Sequence, residues 1–423
     1  MPVLDDDEFA AWAADLKEWP SVSQGFVADG VEWEWAVGLS VSLYFHVPPE
    51  VMIEKRLAAI RLWQEYQALI GNQLTHVGHP KGGRLHKIGS KRVPDFIEHA
   101  QKLPLDENFF IESASSESEV TSANYTFRSW IRSYWEEVPF KLSWLRLDFA
   151  YSWWRDHRDA LHAFVLKAAT QMNAEQGYMG FGYVNPLGVG AAGDILPYEK
   201  QLARRFYGYH FDKPFYMDSP HAVSRPLTFG MNAPTWGTLI GTRWLEKAGG
   251  KAAVRAQLTH PRIRVSELPD ALWIEAGEEP GLLPVEDGIP PIYGEIARAL
   301  KPARADDLDF LTLGQWDDDE RDVMTPTDSQ AWLARFDPDG SWPSPDVRFW
   351  QPDPQAGIGL GIESKRRPSI PGGAPCPESG WWFTPAQAGS RRYFKSGETM
   401  PSLGGDYGLT FWQWSPDQSA PKL

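Results

Sequence analysis

The chain has 423 residues, 42% hydrophobic and 23% charged, with a formal net charge of −15. That length supports two or three domains with a sizeable core, and the composition excludes a disordered chain. The acidic balance argues against direct binding to nucleic acid or anionic lipid, and the lone cysteine, Cys376, excludes an internal disulfide and suits a reducing compartment.

Residues 1–20 carry six acids against one base, Lys17. Ala10, Trp12, Ala13 and Leu16 recur among them at helical spacing, and acids in a first turn complement the helix dipole. No basic and apolar leader precedes them, so no signal peptide is expected, and no run of about 18 apolar residues could span a bilayer. Ala36–Val47 alternates and is rich in Val, Leu, Tyr and Phe, which predicts a strand. Pro48-Pro49 ends it and opens a helix. Val51, Ile53, Leu57, Ile60, Trp63 and Leu69 make that helix's apolar stripe, and Gly71 stops it.

Thr75–Lys91 reads as a basic, glycine-containing loop and Val93–Lys102 as a short helix. Three strand-like runs follow: Asn108–Ala114, Tyr125–Trp135 and Lys141–Trp154. Asp156 is placed to cap a helix with Leu161, Phe164, Val165, Ala168 and Met172 on one face. Gly177–Val184 predicts a further strand, and Pro197 starts a helix through Phe206. Trp236, Leu239, Ile240, Trp244 and Leu245 then follow helical spacing, closed by Gly249-Gly250. Ile263–Glu275 predicts a hairpin turning at Pro269-Asp270. Pro291–Leu300 predicts a helix with Ile292, Ile296 and Leu300 on one side.

Composition then shifts. Residues 303–346 hold twelve acids and three bases, a local net charge of −9. Thr327 with Gln330 fits a capping box for a helix through Phe336. Beyond Asp337 the chain is rich in Pro, Gly and Trp, with strand-like runs at Val347–Trp350, Gly357–Glu363 and Tyr407–Trp414. The expected class is α+β: mixed, mainly antiparallel sheets with packed helices, plus a smaller β-rich C-terminal module. The expected division is 1–305, an acidic connecting segment 306–340, and a Trp-rich module 341–423.

The sharpest catalytic pattern is Pro345-Asp346 followed by Glu363-Ser364-Lys365. Two carboxylates could hold Mg²⁺ while Lys365, two residues from Glu363 and on the same strand face, positions water, as in restriction-type nucleases. Asp346, Glu363 and Lys365 form the alternative reading only, because three common residue types with a free gap recur by chance and the chain's charge opposes DNA. His76, His79 and His86 sit among Lys and Arg, which would repel a cation, so no metal is expected. His157 and His162 lack ligand register, and His162 reads as structural. No nucleophile elbow, Walker loop or dinucleotide fingerprint occurs, and no cofactor is implied. Cys376, between two prolines, reads as a plain loop thiol.

What remains is a binding signature. The chain has 21 Trp on an acidic background, and Trp and Arg most often anchor protein interfaces. Any single Trp more often fills a core. Asp317-Asp318-Asp319-Glu320 follows Trp316, an acidic run that is either a solvated loop or a patch that steers a basic partner. Trp316, Trp342 and Trp350 are the expected aromatic anchors beside it.

Two regions carry a resemblance. Phe206–Gly241, Ala271–Gly277 (Ala-Leu-Trp-Ile-Glu-Ala-Gly), Ile292-Tyr293 and Ala297–Pro302 together resemble a bacterial family tied to type VI secretion immunity. The C-terminal pattern Gly380-Trp381-Trp382-Phe383-Thr384-Pro385, Ser390-Arg391-Arg392-Tyr393-Phe394-Lys395, Gly397-Glu398, Met400-Pro401 and Phe411-Trp412-Gln413-Trp414 is similar to a second module of immunity proteins in Gram-negative bacteria. The resemblance implies a cytoplasmic, non-enzymatic antidote. It would occlude a cognate effector toxin, most plausibly a nuclease with a basic active-site cleft. It brings no catalytic residues, no direct nucleic acid and no membrane, and leaves a homo-oligomer open.

Overall fold

The longest strand, β2 (Val31–His46), organises the molecule. In the computed structural model, which describes residues 11–16, 23–28, 31–80, 85–118, 120–133, 142–184, 196–212, 230–306, 326–343, 370–384, 390–402 and 410–415, it pairs antiparallel with β7 (Leu142–Phe149) on one side and β8 (Gln176–Val184) on the other. From β7 the sheet continues through β6 (Tyr125–Ile131), β5 (Phe109–Ala114), β3 (His76–Val77) and β4 (His86–Lys87). From β8 it continues through β9 (Gly237–Gly241), β11 (Ala271–Ala276) and the edge strand β10 (Ile263–Glu267). With β1 (Ser23–Ala28) also on β2 the sheet has 11 strands, and the described pairings of these strands are antiparallel. The α+β class is therefore as expected, and β3 and β4 lie where Thr75–Lys91 reads as a loop.

The pleat sorts side chains by parity. Leu39, Val41 and Leu43 of β2 share a face with Leu145 and Leu147 of β7, and these are buried. On this face lie α1 (Met52–Leu69) and, after α2 (Phe96–Lys102), the 22-residue α3 (Tyr151–Met172). The α1 residue Tyr66 brings its ring to 6.1 Å from Phe127 of β6 and 5.8 Å from Phe164 of α3. Two cations in α1 are buried because each finds the carbonyls that end another helix. Lys55 Nζ donates to Gln171 O at 2.7 Å beside the left-handed C-cap Asn173, and Arg56 donates to Leu103 O at 2.6 Å and Pro104 O at 2.8 Å.

The opposite face is polar and equally buried. Arg146 Nε donates to Asp148 Oδ1 at 2.9 Å, and Arg146 Nη1 lies 3.3 Å from Asp212 Oδ2. Tyr44 donates to Asp212, and Thr126 donates to Asp148 at 2.5 Å. Burial alone would disfavour the guanidinium charge, but Asp148 and Asp212 outweigh it and hold Arg146 above its ordinary value. Sheet strands are covered on both faces: all eight residues of β7 and all nine of β8 are buried.

His210 packs here, 3% exposed, with its ring 5.3 Å from Tyr178 and 6.1 Å from Trp332. Neither ring nitrogen has a hydrogen-bond partner among the described residues. Burial, then Arg335 and Arg146, push its pKa well below the histidine norm. The unfolded chain takes up this proton near pH 6.5 and the folded chain does not. Stability should therefore fall as pH drops below about 6.5, by at most ~1.4 kcal/mol per pH unit from this group. His210→Leu should flatten that slope in pH-dependent urea unfolding, and an unchanged slope would show that His210 is not its source.

Several elements differ from expectation. Helix α3 begins at Tyr151, six positions after Leu145 in β7, not at Asp156; the chain kinks at His157 (φ −128°, ψ 17°), next to the expected cap. The segment Gly237–Gly241 is strand β9, not the start of a helix, because β8 and β11 bracket it. After α4 (Leu196–Arg205), helices α5 (Thr242–Lys247) and α6 (Lys251–Gln257) flank Gly249-Gly250, and α7 (Pro291–Leu300) is as expected. The hairpin β10–β11 turns at the expected Pro269-Asp270. In residues 11–16, which are helical, Trp12, Ala13 and Leu16 are buried, and Trp12 stacks on Tyr183 at 6.0 Å.

The chain from α8 (Pro326–Leu333) to Pro343 sits in the same core. Trp332, Leu333, Phe336 and Trp342 are all part of it, and Arg304 forms a two-pronged ion pair with Asp337 at 2.8 and 2.7 Å. A second, smaller core belongs to a 4-stranded sheet of β12 (Ile370–Pro371), β15 (Phe411–Trp414), β13 (Gly380–Phe383) and β14 (Arg392–Phe394). It is built from Cys376, Trp382, Phe394, Met400 and Trp412. Much of the aromatic motif read from the sequence is thus the interior of this module: Trp382 meets Trp414 at 5.1 Å, and Phe394 meets Trp412 at 4.8 Å. Arg392 lies over Trp412 at 4.6 Å. Gln413 of this sheet donates to Asp15 of the N-terminal helical residues.

Candidate functional site

Trp154, Arg158, Leu161, His162 and Val165 recur at helical spacing, so α3 presents them as one stripe. The stripe lies against the outer strands of the sheet. On β10, Arg264 and Ser266 alternate onto one face; across the hairpin Arg264 stands opposite Glu275, and Ser266 opposite Trp273. Gly237 on β9 stands opposite Glu275. A Cβ there would come 2.5 Å from Trp273 Cζ2, so glycine is what lets that indole lie across β9. Between stripe and strands opens a cleft of about 250 Å³, walled by Trp154, Trp236 and Trp273.

The polar groups of the cleft form a chain. His162 Nδ1 lies 2.8 Å from Glu275 Oε1, and Trp273 Nε1 donates to the same oxygen at 3.0 Å. Ser266 Oγ lies 3.2 Å from His162 Nε2. With Nδ1–H given to the carboxylate, the neutral imidazole presents its Nε2 lone pair to the Ser266 hydroxyl. The hydrogen bond to Glu275 raises the His162 pKa. Burial would raise Glu275, but the hydrogen bonds from His162 and Trp273 outweigh it and hold that carboxyl below its ordinary value. Arg158 Nη1 donates to Glu278 O at 3.4 Å on the rim.

Of the expected site residues, Trp342 alone lies among the described residues. Asp346, Glu363 and Lys365, like Trp316, Asp317, Asp318, Asp319, Glu320 and Trp350, lie outside the described residues, as do the strand-like runs at 347–350 and 357–363. Trp342 is described, and it is not a surface anchor. It is 3% exposed and donates Nε1–H to Ala203 O at 3.1 Å, so its indole is already used by this chain's own core. His162, read as structural, stands in the cleft. Ser266 and Glu275 were missed because Ser266 is 104 positions from His162, and no local spacing links them.

The polar chain is a geometry, not an identity. The sequence profile of a family described as type VI immunity for VRR-NUC matches residues 58–336, which include α3, the hairpin and α8. The chain belongs to this family. It is a type VI secretion immunity protein. Among solved structures it is similar to a Pseudomonas aeruginosa T6SS protein, PA0821. The likeness has a TM-score of 0.66 at 21% identity and covers 78% of this chain and 91% of that chain, so the two share a fold. No curated protein matches the chain. Among the described residues of the immunity protein no helix is long and apolar enough to cross a membrane.

Proposed function

We propose that this immunity protein binds a cognate effector nuclease of the VRR-NUC kind in the cytoplasm and covers its active site. The observation that carries the reading is the family match over residues 58–336. The net charge of −15 supports it, since a nuclease cleft built for phosphate is basic and an acidic inhibitor complements it. Occlusion makes and breaks no bond, so this role calls for no catalytic residue. The acidic run Asp317-Asp318-Asp319-Glu320 steers the encounter, and Trp316 and Trp350 anchor it.

Co-expression with its cognate effector should restore growth of a host that the effector alone kills. Reversing Asp317, Asp318 and Asp319 to Lys should slow association by about tenfold or more and flatten its salt dependence. Unchanged association in stopped flow would remove the steering role while leaving the immunity reading intact. DNA cleavage by the purified protein with Mg²⁺, lost in Glu363→Ala, would overturn the occlusion reading in favour of a nuclease.

A further inference from the structure

Ser266, His162 and Glu275 stand in the order nucleophile, base and orienting carboxylate, chemistry that occlusion of an effector does not call for. The same order of contacts, on unrelated folds, makes a serine hydroxyl nucleophilic. Each member is held by a different element: α3 brings His162, β10 brings Ser266, and β11 brings Glu275. Glu275 is fixed by a second donor, Trp273 Nε1, so its carboxylate keeps the imidazole in one tautomer.

We propose that this cleft is a serine acyl-transfer site, in which Ser266 attacks small activated esters. Ser266 Oγ bonds to the ester carbonyl carbon while its proton passes to His162 Nε2. The ester C–O bond then breaks, and the leaving alkoxide takes that proton. Water, deprotonated by the same nitrogen, attacks the acyl-serine; Ser266 leaves with the proton, and the carboxylic acid departs. Glu275 stabilises the imidazolium between these steps. Arg264, two residues before Ser266 on the same strand face, and Arg158, one turn before His162, place cations at the cleft to meet the oxyanion. The volume of about 250 Å³ and the indole walls suit a short acyl chain on an aromatic leaving group. Ser266 lies on the edge strand, so no neighbouring strand closes its approach among the described residues.

The test is labelling of the full-length protein with a fluorophosphonate probe at pH 8, read by intact mass and peptide mapping. One adduct on Ser266 is expected, and none in Ser266→Ala. His162→Gln and Glu275→Gln should each slow labelling by at least about 100-fold, with circular dichroism showing that the fold is kept. Labelling should also quicken as His162 loses its proton, in a field set by Arg158 and Asp159 on α3, Arg264 on β10, Glu275 on β11 and Glu278. A burst of p-nitrophenol from p-nitrophenyl acetate, absent in Ser266→Ala, would give the second readout. Absence of a Ser266 adduct on the folded wild-type protein overturns the proposal, and so does labelling that survives unslowed in a folded His162→Gln. Neither result bears on protection against the effector.

Discussion

Arg146→Met should lower the free energy of unfolding by about 3–5 kcal/mol, the usual cost of leaving buried charges without their partner. Arg146 is 2% exposed, and its guanidinium ties three parts of the chain together. It meets Asp148 on its own strand, Asp212 after α4 at 3.3 Å, Asp212 O at 2.5 Å and Tyr183 O of β8 at 3.2 Å. Tyr44 of β2 and Thr126 of β6 complete the set through the two carboxylates. Methionine fills much of the arginine stem but leaves Asp148 and Asp212 facing each other in a dry core. Replacing Arg146, Asp148 and Asp212 together by apolar residues should recover much of the loss, because the penalty lies in the unpaired charge and not in the volume. Urea unfolding with an unchanged slope would give both numbers. A loss of under about 1 kcal/mol in Arg146→Met would mean that water reaches these carboxylates.

Trp332→Ala should cost about 3–5 kcal/mol, as for other fully buried large aromatics. Trp332 is 0% exposed, 5.1 Å from Phe211 and 6.1 Å from His210, with the Arg335 guanidinium 4.0 Å above its ring. Arg335 in turn donates to Tyr207 O at 3.1 Å and Pro234 O at 3.3 Å. Alanine would open a cavity under three separate segments. The loss should appear as one cooperative shift of the main unfolding transition, since Trp332 shares its core with the large sheet. A separate, early transition confined to the C-terminal part would instead show that 326–343 unfolds apart from the sheet.

The burial of Trp332 is not visible in the sequence around it. The acid-rich segment 306–340 reads as a connector, because charge runs usually stay in water. Yet Trp332, Leu333 and Phe336 within it, and Trp342 just after it, are core residues. Among its described residues two acids with little exposure meet cations: Asp337 with Arg304 and Lys301, and Asp328 with Lys200 at 3.0 Å. Average charge over a window hides the few large side chains that decide burial. Trp342, an expected interface anchor that lies in the core, is the plainest case, since an exposed and a buried tryptophan look alike in one dimension.

The segment around Leu239 shows the same limit in secondary structure. Trp236, Leu239, Ile240, Trp244 and Leu245 fit a helix by spacing, but a short apolar run fits a strand as well. Pairing with β8 and β11 decides for the strand up to Gly241, and α5 starts only at Thr242. By contrast, α7, β2, β8 and the β10–β11 hairpin were legible, because proline, glycine and long regular patterns mark them locally, and so were the limits of α1, though its buried face carries Met52, Ala59, Leu62 and Tyr66 while Ile53 of the expected stripe is 41% exposed.

By itself the sequence determined what depends on neighbours within a turn or two: most strands and helices, their punctuation, the α+β class and, through the patterns within Phe206–Gly241, Ala271–Gly277 and Ala297–Pro302, the immunity family. Only the tertiary structure decided which charges go inside, which tryptophans are spent on the core, and that His162, Ser266 and Glu275 share one cleft. The reason is physical: periodicity is a property of adjacent residues, whereas burial and hydrogen-bond partnership are set by segments that meet only after folding.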